Sequence, residues 1–365
     1  PQEEKEIQIP YNKPTLEPGK EYWLNISFRL KESVQWADKG YELAWEQFSL
    51  PWRIEIPLRN VKGEPLDYDE NEKEIIFAGE KAAIKISKVT GGLSSYIING
   101  TETIDKPGRL NIWRAPVDND MGGGENSFES RWKDAGYDHM QINVDSTNTR
   151  LSENGVYNVM VKGVLQGVNA KLPFTTTYAL YATGDVIVKH TLEIPDNLPP
   201  LPRVGYQLFL KKKINYLKWY GRGPQESYWD RKTGVRVGVY KGSVSEQYVP
   251  YPYPQENGNK TDVRWLTLTD LEGRGVLVQG KPHLSASAHR YTLENLTKAT
   301  HTIDLKEADY ITLNIDYKQA GVGGDDSWNP RTHPEFQLSD STYTYEFRLK
   351  GFVGDPEKHI GFWLE

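Results

Sequence analysis

Apolar and polar residues alternate at every second position over long stretches of the chain, the pattern of strands with one covered face. Tyr22, Leu24, Ile26, Phe28 and Leu30 fall on one side of a segment whose other side carries Asn25, Ser27 and Arg29. The same period recurs at Val186, Val188, His190, Leu192 and Ile194, at Ile311, Leu313, Ile315 and Tyr317, and at Tyr343, Tyr345, Phe347 and Leu349. These runs are rich in β-branched and aromatic residues and stop at Gly, Pro, Asn or Asp, as strands do. Thr183-Gly184-Asp185 lies between two such runs and predicts a hairpin turn. Helical period is scarce. Ser127 to Ala135 has a Ser start, Phe128 and Trp132 four residues apart, and Gly136 as a stop, and Thr292 to Lys298 is a second short candidate. Neither supplies the crossovers that a parallel α/β sheet requires. The pattern predicts an all-β chain.

One stretch interrupts it. Asn60 to Glu72 is polar, charged and turn-rich, as linkers are. The expected organisation is residues 1–59, a linker over 60–73, and a single β domain over 74–365. The first part is short for a free-standing sandwich, which takes about 100 residues. The last part is large for a simple one.

Composition narrows the class. The 365 residues include 44 Lys+Arg against 50 Asp+Glu, a formal net charge of −6. A mild acidic excess without a basic stripe argues against nucleic acid, whose binding depends on neutralising phosphates. No apolar run approaches the roughly 18 to 20 residues that span a bilayer, so no membrane partner is expected. Cysteine is absent, which removes disulfides, thiolate metal sites and Cys nucleophiles. The chain starts at Pro1 with neither an initiator Met nor a signal peptide, and reads as a processed or excised piece. Eleven Trp, 22 Tyr and 10 Phe lean toward flat, hydroxyl-rich ligands such as sugars.

Four segments carry candidate chemistry. Gly321-Val322-Gly323-Gly324-Asp325-Asp326-Ser327-Trp328-Asn329-Pro330 combines glycines that permit φ > 0 with acids, Ser and Asn that fix their own turns. Trp328 either faces solvent as a stacking platform for a sugar or pins its loop to the core. Asp325 and Asp326 look at first like a catalytic pair. Glycosidase chemistry, however, needs two carboxyls facing each other about 5 to 10 Å apart, so loop bracing is expected. Asp118-Asn119-Asp120 before Gly122 hints at a calcium loop, but no Glu occupies the twelfth-ligand place, and a structural turn is expected. Trp219 to Arg231 is a ring-rich loop in which Arg222 and Glu226 could hold a saccharide or form a buried ion pair, the latter favoured. Pro254 to Trp265 follows Tyr248, Tyr251 and Tyr253, has a turn at Asn257-Gly258, and leads into a strand from Arg264 to Thr269. The spacing of His283 and His289 shows no zinc pattern.

These segments, taken in order, resemble the C-terminal part of a bacterial β-galactosidase of glycoside hydrolase family 2. RAPVDNDMG at 114–122, RWKDAG at 131–136, YGRGPQESYWDR at 220–231, YPQENGN at 253–259, LNIDYKQAGVGGDDSWNP at 313–330 and HPEFQLSDSTYTYEFRL at 333–349 carry the resemblance. Residues 22–48 are similar to the end of the immunoglobulin-like domain that precedes this region in the family. The resemblance implies that residues 74–365 form a large antiparallel supersandwich of the galactose-mutarotase-like type. It implies that residues 1–59 are the closing strands of an immunoglobulin-like β-sandwich, with a sheet edge left to pair elsewhere.

The chemistry it implies is retaining hydrolysis of terminal β-D-galactosides through a covalent galactosyl-enzyme. In the family both catalytic Glu residues, the Mg²⁺ and the Na⁺ belong to a (β/α)₈ barrel, so no catalytic residue and no metal site is expected in this chain. Trp328 matches the Trp that stacks on substrate, with Asp325, Asp326, Ser327 and Asn329 as its supporting loop. The implied partners are a galactoside, the rest of the enzyme chain and further copies in a homo-oligomer. Bacterial cytoplasm and periplasm both remain open. Two alternatives stay beside this reading: a free-standing aldose mutarotase-like epimerase, for which His283, His289 and Glu226 are available, and a non-catalytic carbohydrate-binding module.

Overall fold

A computed structural model describes residues 4–364 apart from 60, 62 and 327. Strands account for 48% of the chain and helices for 10%, so the all-β reading holds. The chain divides into two compact units, Pro1–Asn60 with Gly361–Glu365, and Val61–Ile360.

In the first unit Tyr22–Arg29 pairs antiparallel with Glu42–Leu50, Tyr22 facing Leu50 and Ile26 facing Glu46. The predicted apolar face is present but only partly covered. No side chain of either strand is buried, and Phe28 is 60% exposed. Trp52 packs between Tyr11 and Tyr22. The short strand Trp363–Leu364 runs parallel to Leu58–Arg59, and Arg59 lies over the Phe362 ring. The end of the chain therefore belongs with this unit and not with the β domain expected to run to residue 365. The reason is local: the strand at 58–59 is completed by 363–364, and Gly361, with φ +84°, allows the backbone to turn just before it.

The second unit holds a twelve-stranded antiparallel sheet among the described residues. Its main path runs Gln141–Leu151, Tyr157–Gln166, Lys171–Leu180, Asp185–Glu193, Thr342–Val353, Arg274–His289, Lys260–Thr269, Tyr216–Gly223 and Arg236–Ser243. The 16-residue strand Arg274–His289 is shared. Its first half pairs with Thr342–Val353, and its second half pairs with Tyr310–Gln319, which leads through Arg203–Lys211 to Ile104–Asn111. A five-stranded sheet accompanies it: Asp67–Glu70, Glu74–Ala78, Ala82–Ser87, Leu93–Ile98 and Thr101–Glu102. Asp67–Glu70 lies inside the segment expected to be a linker. Its backbone completes the edge of this sheet opposite Ala78 to Ile75, which its charged sequence does not advertise.

The local signals hold where they are local. The helix Phe128–Ala135 starts on Ser127, whose Oγ accepts the Ser130 N–H, and ends on left-handed Gly136. Phe128 stacks on Trp132 within it. Thr292 caps the helix Leu293–Lys298 in the same way. Gly184, at φ +82°, makes the turn between Lys171–Leu180 and Asp185–Glu193. His190 is buried as its strand period requires, stacked on Tyr206 and bonded to Thr176, and burial pushes its imidazole down to about 3.

Candidate functional site

Trp328 is 88% exposed, and its ring makes no aromatic or cation contact among the described residues. It does not pin its loop to the core. The loop braces itself instead. Asp326 Oδ1 accepts the N–H groups of Trp328 at 2.8 Å and Asn329 at 2.7 Å, and these bonds hold its carboxylate below the usual range. The Asp325 N–H donates to the Asn329 carbonyl, and its carboxylate meets His333 Nε2 at 2.7 Å. Two adjacent acids thus serve two different braces and leave no facing carboxyl pair. Ser327, expected to support the loop, lies outside the described residues.

The glycines of this loop have a different role from the one expected. None of Gly321, Gly323 and Gly324 has a positive φ. What they provide is clearance. A Cβ at Gly321 would sit 2.8 Å from Asp230 Cγ, one at Gly323 would sit 3.0 Å from Asp230 Oδ2, and one at Gly324 would sit 2.5 Å from the Pro330 carbonyl oxygen.

Two segments far apart in sequence, 114–120 and the turn at Asp230, converge on the loop stem. Arg114 is fully buried and forks onto Asp120, Nε to Oδ2 at 3.0 Å and Nη2 to Oδ1 at 2.7 Å. The same guanidinium donates to the carbonyls of Ala320 at 2.6 Å and Gly321 at 3.0 Å. Asn119 Nδ2 donates to the Val322 carbonyl at 2.9 Å, and the Asp230 carboxylate accepts the N–H groups of Val322 and Gly323. The Asp118–Met121 turn therefore serves as a clamp. The Asp120 oxygens are taken by Arg114 and the Val117 N–H, which leaves them poorly placed to ligate calcium. Burial raises the Asp120 carboxyl against the pull of Arg114.

Beneath the clamp lies a buried ionic cluster. Arg203 Nη2 meets Glu256 Oε1 at 2.5 Å, and its Nε stands 3.1 Å from Asp316 Oδ2. Its Nη1 donates to the Trp113 carbonyl, and Gln319 donates to Glu256 and Asn259. Burial pushes Asp316 up to about 7; Arg203 opposes this and Glu256 adds to it. With both acids and the Arg enclosed, the cluster has no open face for a ligand.

Other predicted residues separate. Arg222 pairs with Asp262 at 2.6 Å and donates to the carbonyls of Lys232 and Val235, so the expected Arg222–Glu226 pair does not form. Asp262 stands 40 positions away in sequence and reaches Arg222 from a left-handed backbone, φ +52°. Glu226 instead accepts from Tyr251 Oη, from Arg231 Nη2 at 2.5 Å and from the Gly258 N–H at 2.7 Å. His283 is exposed and His289 is buried, so the two do not share a surface. No group of three or more His, Cys, Asp or Glu that could hold a metal occurs among the described residues.

The family model described as "Beta galactosidase small chain" matches residues 78–349. The chain belongs to that family. A second model, "Beta-galactosidase, domain 4", matches residues 1–51. A β-galactosidase of Priestia megaterium is 37% identical over 331 residues, covering 90% of this chain and 31% of that protein. One from Vibrio cholerae is 33% identical, covering 93% of this chain and 33% of that protein. The chain thus spans about a third of the length of these relatives. Among solved structures, a galactose mutarotase related enzyme of Lactobacillus acidophilus has a TM-score of 0.43 at 10% identity, over 79% of this chain and 97% of that one.

Within this small-chain region sequence reasoning did not single out Asp230 or Arg114, and it read Asn119 only as part of a possible cation loop. All three lie inside segments that the family resemblance covers. Their side chains act on backbone about 90 to 210 positions away, a relation that no local pattern announces.

Proposed function

We propose that this chain is the C-terminal region of a retaining β-galactosidase, supplying Trp328 as one wall of the galactoside site while the catalytic acids lie elsewhere in the enzyme. The observation that carries it is an exposed Trp328 ring held on a doubly braced loop inside the matched region. A flat aromatic ring takes up the C–H face of a sugar and excludes water from it. Asp325, Asp326 and Asn329 support that ring and do no chemistry. Galactoside, the rest of the enzyme chain and further copies are the partners in this reading, and the Mg²⁺ and Na⁺ of the family belong with its barrel.

Retaining hydrolysis needs an acid/base and a nucleophile about 5 to 5.5 Å apart, and the candidate acids of this loop are committed to its own braces. The purified chain is therefore expected to release no nitrophenol from a nitrophenyl β-galactoside. Turnover that co-purifies with the chain and survives further fractionation would contradict the proposal.

A further inference from the structure

We propose that Asp230 is a positioning residue for galactoside binding, its carboxylate seated against Gly321 and Gly323 and holding the stem of the loop that carries Trp328. This rests on the reading of Trp328 as the sugar-stacking ring. Asp230 accepts the Val322 N–H at 2.9 Å and the Gly323 N–H at 2.6 Å, and Thr332 Oγ1 stands 3.4 Å from the same oxygen. One carboxylate thus touches backbone on the entering side of the loop and a side chain on the leaving side. Bonds to a charged acceptor are among the stronger ones, and losing it strands two amides.

The mount is as well defined as the contact. Asp230 lies in a short turn closed by paired backbone bonds between Tyr228 and Arg231, at 3.0 and 2.9 Å. Tyr228 is buried, and Trp229 packs against Phe336 and under Lys318 Nζ, 4.0 Å from the ring centroid. The flanking residues anchor the turn, and the Asp230 carboxylate meets the loop. Gly321 and Gly323 complete the arrangement, because a side chain at either would occupy the space the carboxylate fills. Asp230 reaches the sugar only through Trp328. A ring that contacts substrate and transition state alike changes KM and leaves kcat nearly alone.

The test uses the complete enzyme with nitrophenyl β-galactoside, comparing Asp230→Asn, Asp230→Ala, Trp328→Ala and the double variants. Asp230→Asn keeps the shape and one acceptor, so it stands in if Asp230→Ala folds poorly. Both Asp230 variants are expected to raise KM about three- to tenfold with kcat within about twofold. In the Trp328→Ala background they are expected to add nothing. Unchanged KM, a loss confined to kcat, an undiminished effect in the Trp328→Ala background, or failure of both Asp230 variants to fold overturns the proposal. If Trp328→Ala itself leaves KM unchanged, the reading of Trp328 fails instead, and that outcome is visible independently of Asp230.

Discussion

Asp316 shows how far a residue's surroundings can move it from its sequence-level role. It sits in a strand whose apolar period is plain, Ile311, Leu313, Ile315 and Tyr317, and period two assigns the intervening Thr312, Asn314 and Asp316 to solvent. All three are buried. Asn314 bonds Gln207 and Ser287, and Asp316 faces Arg203, with Glu256 bound to the same guanidinium. Alternation reports which residues share a face but not what covers it, so the buried ionic cluster was not legible. Its pH behaviour follows from the raised carboxyl. Between the unfolded value of about 3.9 and the folded value of about 7, the folded state holds a proton that the unfolded state lacks, so stability falls as pH rises through that window. The melting temperature of the wild type is expected to decline from pH 5 to pH 8 relative to that of Asp316→Asn. A constant difference between the two would contradict it.

Side-chain-to-backbone bonds link separate elements around the candidate site. Arg114 joins the Asp118–Met121 turn to the Ala320–Gly321 carbonyls, with its donors spread over one carboxylate and two carbonyls. Replacing it by Met leaves Asp120 buried without its cation, and removing one partner of a buried pair costs about 3–5 kcal/mol. Chemical denaturation of Arg114→Met is expected to show a loss of that order, and a change below about 1 kcal/mol would refute the clamp. Helix ends and hairpin turns were readable in advance, because a cap or a glycine turn is decided within four or five residues. Ser127, Gly136, Thr292 and Gly184 all sit where their local chemistry puts them. The partner of Arg222 and the reason for Gly321 and Gly323 were not readable, because Asp262 and Asp230 arrive from other strands and turns.

At the scale of the whole chain, the resemblance drawn from six motifs and the match over residues 78–349 describe the same region. The larger of the two compact units opens at Val61. Two corrections follow from pairing: Asp67–Glu70 joins a sheet and Trp363–Leu364 joins the first unit. Trp328 is an exposed ring on a loop braced by Asp325 and Asp326, and the proposed function turns on whether that ring meets the substrate. The most direct measurement is steady-state hydrolysis of a nitrophenyl β-galactoside by the complete enzyme carrying Trp328→Ala, beside Trp328→Tyr. Trp328→Ala is expected to raise KM about tenfold, the kinetic equivalent of about 1.4 kcal/mol, and Trp328→Tyr to recover part of the loss. A KM unchanged in Trp328→Ala would contradict it.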